Sequence, residues 1–372
     1  MKEVVIFVSN PFGFGPTGKI IGVMDALSRK WNGHIVYAAS EQCQEPLGQE
    51  IRNKIEVITV NERDADSLKR IYDRYPGALV VVSLNKTATC TAKEMGCTVF
   101  FIDSLTWMWK EVPQEYLLAD RYYYYDIFRA RDKVVDVGHA IPITPIVGNL
   151  PKRNSRLGKI LIHIGGFTNP FSKRLMSEYL SILWEALNTD ALAEKQIVLA
   201  GGHAAIDFLS NKQREQSNSS VQLGTFEHSA FVQLLSESER FITTPGSTAT
   251  FEAAAIGVPT TFLPPTNLSQ WRQAKLLLEN RGISPGATWE DILERSLDIE
   301  MLSEENAVAR FSNIAETVYQ DDELRSRALE AIRDLVIKPL WSEQGSQMDS
   351  GSVDGSEVIV SDILKLFASG GK

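Results

Sequence analysis

The chain of 372 residues is longer than one hydrophobic core usually supports, which predicts two domains of roughly 150 to 200 residues each. Hydrophobic residues make up 44% and charged residues 23%, ordinary globular values that exclude a fibrous or mostly disordered chain. A formal net charge of −9 argues against nucleic-acid binding, and three cysteines (Cys43, Cys90, Cys97) with no CxxC pair or histidine cluster argue for reduced thiols and no metal site.

Met1–Glu3 runs directly into an apolar strand, and no stretch approaches the length of a membrane span, so a cytoplasmic chain is expected, with peripheral membrane association left open. Short β-branched runs then alternate with polar or Gly-rich turns and amphipathic stretches. Val4–Val8, His34–Ala38, Ile55–Val60, Leu79–Ser83 and Thr98–Ile102 read as strands, and Lys19–Trp31, Asp64–Tyr75 and Thr89–Met95 as helices. Val134–Val137 reads as a further strand. The alternation predicts βαβ units and a parallel sheet.

Between Ala140 and Leu157 the sequence AIPITPIVGNLPKRNSRL carries three prolines and a basic run, which places a linker at 146–157 after a domain of 1–145. A second α/β domain, 158–342, restarts with the strand Lys159–Ile164 and a helix from Lys173 to Leu187. Gln196–Ala200, Ser220–Leu223, Arg240–Thr243 and Thr260–Leu263 follow as strands, with a helix over Ala230–Leu235. The Ser/Gly/acidic stretch 343–357 reads as a flexible tether, and 358–372 as a terminal helix that docks back on another part of the protein.

The most informative stretch is FITTPGSTATFEAAAIGVPTTFLPPTNLSQWRQAKLLLENRG, Phe241 to Gly282. A strand ends at Thr243, Pro245 and Gly246 turn the chain, and Ser247, Thr248 and Thr250 open a small-residue helix over Ala249–Ile256. Hydroxyls and backbone N–H groups at a helix N-terminus suit a phosphate or diphosphate. Glu252 lies four residues beyond Thr248, on the same side of the helix, where its carboxylate suits a ribose diol. Ala253–Ala255 keep the helix thin, and Gly257-Val258-Pro259 ends it.

This segment resembles the donor-binding block of GT-B glycosyltransferases of the MurG-like and UDP-glycosyltransferase-like groups. That resemblance implies two Rossmann-like parallel-sheet domains facing across a cleft, the first taking the acceptor and the second a nucleotide-sugar. It assigns the donor diphosphate to Gly246, Ser247 and Thr248, the ribose to Glu252 and the donor sugar to Gln270, with Gln273 as a second candidate. Ser269 stands where the family often has an acid or a Gln. ILIHIGGF (Ile160–Phe167) resembles the family's first strand and turn in that domain, with Gly165 and Gly166 allowing close approach to phosphate. IVLAGGH (Ile197–His203) and VQLGTFEHSAFVQLL (Val221–Leu235) match its next two strands, and Phe226 is the candidate nucleobase contact, with hydrophobic packing as the alternative.

The first turn, SNPFGFGPTGKI (Ser9–Ile20), has the spacing Gly13-x₄-Gly18-Lys19 of a Walker A loop, but Ile20 replaces the hydroxyl that would hold Mg²⁺. The resemblance instead makes it the Gly-rich loop of the first domain, with Gly15 and Gly18 near the donor diphosphate and Lys19 near an acceptor. Those groups usually carry a histidine at the place of Gly18 or Lys19, so the general base is sought elsewhere. Asp103, at the carboxyl end of TVFFI, is the leading candidate, with a turn-capping role as the alternative. Asn85 ends the preceding strand as an acceptor-side candidate. In LTWMWKEVPQEYLLADRYYYYDIF (Leu105–Phe128), Trp107 and Trp109 are candidates for stacking on an acceptor, while the other rings fill the core.

The expectation is a metal-independent glycosyltransferase without a cofactor, drawing on a UDP-sugar and an acceptor that is a small molecule, saccharide, peptide or lipid-linked sugar. A nucleotide-sugar hydrolase or 2-epimerase, a non-catalytic nucleotide-sugar binder and a P-loop phosphotransfer enzyme are the alternatives.

Overall fold

The computed structural model describes residues 3–167, 175–215, 221–281, 286–338 and 354–370. Most of the expected tether 343–357, together with Lys173 and Ser220, which bounded an expected helix and strand, lies outside these residues. The chain divides into two compact units, Met1–Asn149 with Gly351–Lys372, and Leu150–Ser350.

The first unit runs β1 (Val4–Ser9), α1 (Gly15–Ser28), β2 (His34–Ala39), α2 (Glu41–Gln44), α3 (Gln49–Arg52), β3 (Glu56–Thr59), α4 (Ala65–Arg74), β4 (Leu79–Ser83), α5 (Lys86–Glu94), β5 (Thr98–Asp103), β6 (Arg121–Tyr125) and β7 (Ala140–Ile143). All seven strands are parallel, in the order β3-β2-β1-β4-β5-β6-β7. Strands covered on both faces read as continuous apolar runs, as VVIF in β1 and LVVV in β4 do. Register is set there by pairs such as Val8 with Val82 and Ser9 with Ser83.

Several elements differ from expectation. Val134–Val137 is a turn, with Val137 N–H donating to the Val134 carbonyl at 3.0 Å and Val135 largely exposed. The strand lies instead at Ala140–Ile143, inside the proline-rich stretch. Pro142 is tolerated because β7 is an edge strand and needs no donor on its open side. The tyrosine run is β6, with Tyr122–Tyr125 all buried. Buried phenols need partners. The Tyr122 hydroxyl donates to Asp103 at 2.5 Å, that of Tyr123 to Asp362 at 3.0 Å, and that of Tyr125 accepts from Ile146 N–H at 2.9 Å.

The second unit runs β8 (Arg156–His163), α6 (Ser177–Leu187), β9 (Gln196–Ala200), α7 (His203–Glu215), β10 (Gln222–Gly224), α8 (His228–Glu237), β11 (Ser238–Thr243), α9 (Ser247–Ile256), β12 (Thr260–Phe262), α10 (Leu268–Arg281), α11 (Trp289–Leu293), α12 (Glu304–Gln320) and α13 (Asp322–Ile337). Its five strands are parallel in the order β10-β9-β8-β11-β12. Leu161, Val198, Phe231, Leu235, Phe241, Ala249 and Ala253 form one buried cluster that joins the sheet to α8 and α9.

The last helix, α14 (Gly355–Gly370), belongs to the first unit and packs on α1. Trp31 and Phe367 stack with centroids 5.1 Å apart, Lys30 pairs with Glu357, and Asp362 meets Arg121 at 3.1 Å as well as Tyr123. Asp354, just before the helix, accepts from Ser356 N–H at 2.8 Å and from the N–H groups of Val147 and Gly148 at 2.8 and 3.1 Å. One carboxylate therefore caps α14 and satisfies the chain segment that leaves β7.

Replacing Asp354 by alanine strands these N–H groups and is expected to destabilise the protein by about 2 kcal/mol. Thermal unfolding should then show a midpoint lower by several degrees.

Candidate functional site

In an open parallel sheet ligands gather beyond the carboxyl ends of the strands, where the strand order reverses direction. In the second unit that point lies between β8 and β11. The two carboxyl ends are stitched together by Thr244 N–H donating to the His163 carbonyl at 3.1 Å.

After β8, Gly165 turns the chain at φ +64°, and Phe167 follows at φ +51°, a left-handed conformation that non-glycine residues seldom adopt. A side chain added at Gly165 would meet nothing within 4 Å, so the backbone there is open to an approaching group. Gly202 N–H donates to the Gly165 carbonyl at 2.8 Å, and Gly166 is buried.

After β11, the turn through Gly246 enters α9 with this glycine, which has no side chain, at the N-cap. The intrahelical ladder starts at Thr250 N–H, which bonds the Gly246 carbonyl at 3.1 Å. The helix dipole and the preceding N–H groups thus face the switch point, with Ser247 half-buried and Thr248 buried. Gly257, at φ +82°, ends the helix in a left-handed C-cap.

Glu252 is buried at 2% exposure, and its Oε1 lies 2.6 Å from Nε2 of His228, the first residue of α8. The Phe226 ring folds over Gly224 and packs against the hydrophobic cluster, which favours the packing alternative stated for it. Gln270 Oε1 accepts from both the N–H and the hydroxyl of Thr266, at 2.8 and 3.0 Å, so this oxygen fixes the loop before α10. Gln273 is buried, and its Nε2 has no hydrogen-bond partner among the described residues.

Three residues near this edge carried no expectation. His163 ends β8 with its ring 4.7 Å from that of Phe231, and burial pushes its pKa down to about 4, leaving a neutral imidazole at pH 7. His228 lies two residues before the expected helix Ala230–Leu235, and its pairing with Glu252 is a tertiary contact. Glu304 opens α12 with its carboxylate buried, facing the N–H groups of Leu268 and Ser269 at the start of α10 without a well-formed hydrogen bond. Burial pushes its pKa up to about 7, with Arg272 as the nearby opposing charge.

In the first unit several expectations need correction. Asp103 is fully buried and saturated, Oδ1 accepting from Leu105 N–H at 2.6 Å and Oδ2 from Trp109 Nε1 at 2.8 Å and Tyr122 at 2.5 Å. Burial raises its pKa against these donors. It organises the loop after β5 and is not an open base. Asn85 caps α5 through Ala88 N–H at 2.9 Å, while its amide donates to the carbonyls of Ser9 and Glu62, both at 3.1 Å, so its side chain is engaged within the first unit.

Helix α1 starts at Gly15, four residues earlier than expected, so Gly18 lies inside it with its N–H bonded to the Phe14 carbonyl at 2.9 Å. Lys19 is 1% exposed and its Nζ donates to the Gly15 carbonyl at 3.1 Å; it is neither a solvated lysine nor an open phosphate ligand. The Trp107 N–H is taken by the Ser104 carbonyl at 2.9 Å and its ring is buried against Phe128, while Trp109 is half-buried with its N–H on Asp103.

Similarity to solved structures decides the architecture. The chain matches Os79 from O. sativa, in complex with UDP, at a TM-score of 0.55 and 12% identity, covering 98% of this chain and 100% of that one. A UDP-glucosyltransferase from Polygonum tinctorium capable of glucosylating indoxyl matches at 0.51 and 14%, covering 99% of each chain. UGT71G1 of Medicago truncatula, complexed with UDP-glucose, matches at 0.51 and 10%, covering 97% and 98%.

The fold is GT-B, of the UDP-glycosyltransferase-like kind. No protein-family model and no curated protein matches the sequence. Among the described residues, no helix of this GT-B chain is long and apolar enough to cross a membrane.

The Glu304 carboxyl has a definite pH consequence. A carboxyl whose pKa rises on folding costs stability once pH exceeds its unfolded value, increasingly so up to the folded value, and costs nothing below both. Glu304→Gln should therefore stabilise the protein at pH 8 by roughly 2 kcal/mol and have little effect at pH 4, read from thermal midpoints across that range.

Proposed function

We propose that this GT-B chain is a glycosyltransferase that takes a sugar from a nucleoside-diphosphate sugar, with UDP as the nucleotide, and transfers it to an acceptor. The observation that carries the reading is the N-terminus of α9, with Gly246 at its N-cap, at the strand-order reversal between β8 and β11. Solved structures of the same fold hold UDP or UDP-glucose, which supports that choice of nucleotide.

On this reading the N-terminus of α9, with Ser247 and Thr248, receives the diphosphate, and the backbone at Gly165 and Gly166 approaches it from the neighbouring strand. Glu252 takes the ribose hydroxyls, and Gln270 and Gln273 face the sugar. As the glycosidic bond to the donor breaks, negative charge grows on the leaving diphosphate. A helix N-terminus aimed at that charge stabilises it without requiring a metal. The Nε2 of Gln273, which has no partner among the described residues, is suited to donate to a sugar hydroxyl.

One observation favours a second reading. Asp103 is sealed in its own hydrogen bonds and is not free to take a proton, which favours a non-catalytic nucleotide-sugar binder, since a hydrolase or 2-epimerase would equally need a group to move a proton.

Calorimetry with UDP-, GDP- and TDP-sugars, followed by assays of nucleotide release with and without phenolic, saccharide and peptide acceptors, separates these cases. Acceptor-dependent UDP release is expected. Release without acceptor would indicate a hydrolase, binding without turnover a silent binder, and no binding of any nucleotide-sugar would overturn the proposal. Glu252→Ala should weaken UDP binding about 10- to 100-fold, the effect of losing hydrogen bonds to a charged group.

A further inference from the structure

Glu252 sits on the second turn of α9 between Phe251 and Ala253, both buried, and its side chain is 3% exposed. Removing a carboxylate from water is costly unless a donor meets it. Among the described residues the donor that meets it is His228 Nε2, 2.6 Å from Oε1.

The placement of His228 is built in. Two residues before it the Phe226 ring lies over Gly224 and against the hydrophobic cluster, and Phe231 N–H closes the first turn of α8 on the Glu227 carbonyl at 2.9 Å. Helix α8 packs on α9 and on β8, so the imidazole is carried across the helix pair to a carboxylate that α9 alone would leave buried without a donor.

We infer that His228 is a positioning residue for nucleotide recognition: its Nε2–H holds Oε1 of Glu252 and leaves the second carboxylate oxygen to accept from the ribose hydroxyls. The inference rests on the assignment of Glu252 to the ribose. The imidazolium and the neutral Nε2–H tautomer both donate from this nitrogen, so the tie does not depend on the charge of the histidine. Its contribution is preorganisation, because a glutamate already fixed in one rotamer loses less freedom when the ligand arrives.

A pair that merely ties α8 to α9 would have the same geometry, so the test reads ribose hydroxyls rather than stability. The full chain is titrated by calorimetry with UDP and with 2′,3′-dideoxy-UDP, as wild type, His228→Leu, His228→Gln, Glu252→Ala and the His228→Leu/Glu252→Ala double variant. His228→Leu should lose about five- to tenfold in UDP affinity, leave the dideoxy nucleotide unaffected, and add no further loss in the Glu252→Ala background. His228→Gln, whose amide restores an N–H at similar reach, should recover most of the preference for UDP. Equal losses for both nucleotides, an unchanged preference in His228→Leu, or additive losses in the double variant would overturn the role of His228 while leaving that of Glu252 intact. A wild-type chain that binds no UDP, or a Glu252→Ala variant that keeps the ribose preference, would instead remove the assignment on which the inference stands.

Discussion

When every strand of a sheet runs parallel, all carboxyl ends arrive at one edge, and the strand ends bring polar groups and helix N-termini with them. Both units obey this constraint, and everything chemical about the chain follows from it. In the second unit the reversal between β8 and β11 brings a left-handed glycine turn beside the N-terminus of α9, with Glu252 one turn deeper and the start of α10 carrying Gln270 and Gln273 nearby in sequence. The sheet gathers these groups at one edge before any single side chain is considered.

The same edge in the first unit is used differently. Ser9 bonds Thr17 and Tyr37 at 3.1 and 3.0 Å, Glu62 accepts from Ser40, Asn85 joins the end of β1 and the loop after β3 to α5, and Asp103 gathers three donors. Buried polar groups satisfied by one another rigidify a platform and lose their availability to a ligand. Ser83 and Ser104, whose buried hydroxyls have no partner among the described residues, stand apart from this network. The contrast explains why Asp103, Asn85 and Lys19 are taken up by their own neighbours.

The strands were legible because strands covered on both faces must be apolar throughout, and the helix at Ser247 because glycine, hydroxyls, alanines and Gly-x-Pro each have local conformational meaning. The pro-rich β7 was not legible: proline argues against a strand unless the strand lies at an edge, and edge position is a property of the assembled sheet. Val134–Val137 has β-branched composition, but the chain turns on itself there and leaves Val135 in solvent. The partners of Asp103 come from Leu105, Trp109 and Tyr122, of which only the first two are close in sequence.

The sequence by itself therefore determined two parallel α/β units, the glycine turns, and a helix N-terminus suited to phosphate, because these depend on backbone preference and hydrophobic period within short windows. Only the tertiary structure decided which polar side chains are available. His228 meets Glu252 from another helix, and Lys19 turns back on Gly15 within a buried helix. Asp362 takes its partners from β6 across more than 200 residues of chain. Availability is what remains after every neighbour has made its hydrogen bonds, and neighbours distant in sequence are assigned only when the sheet and its helices close.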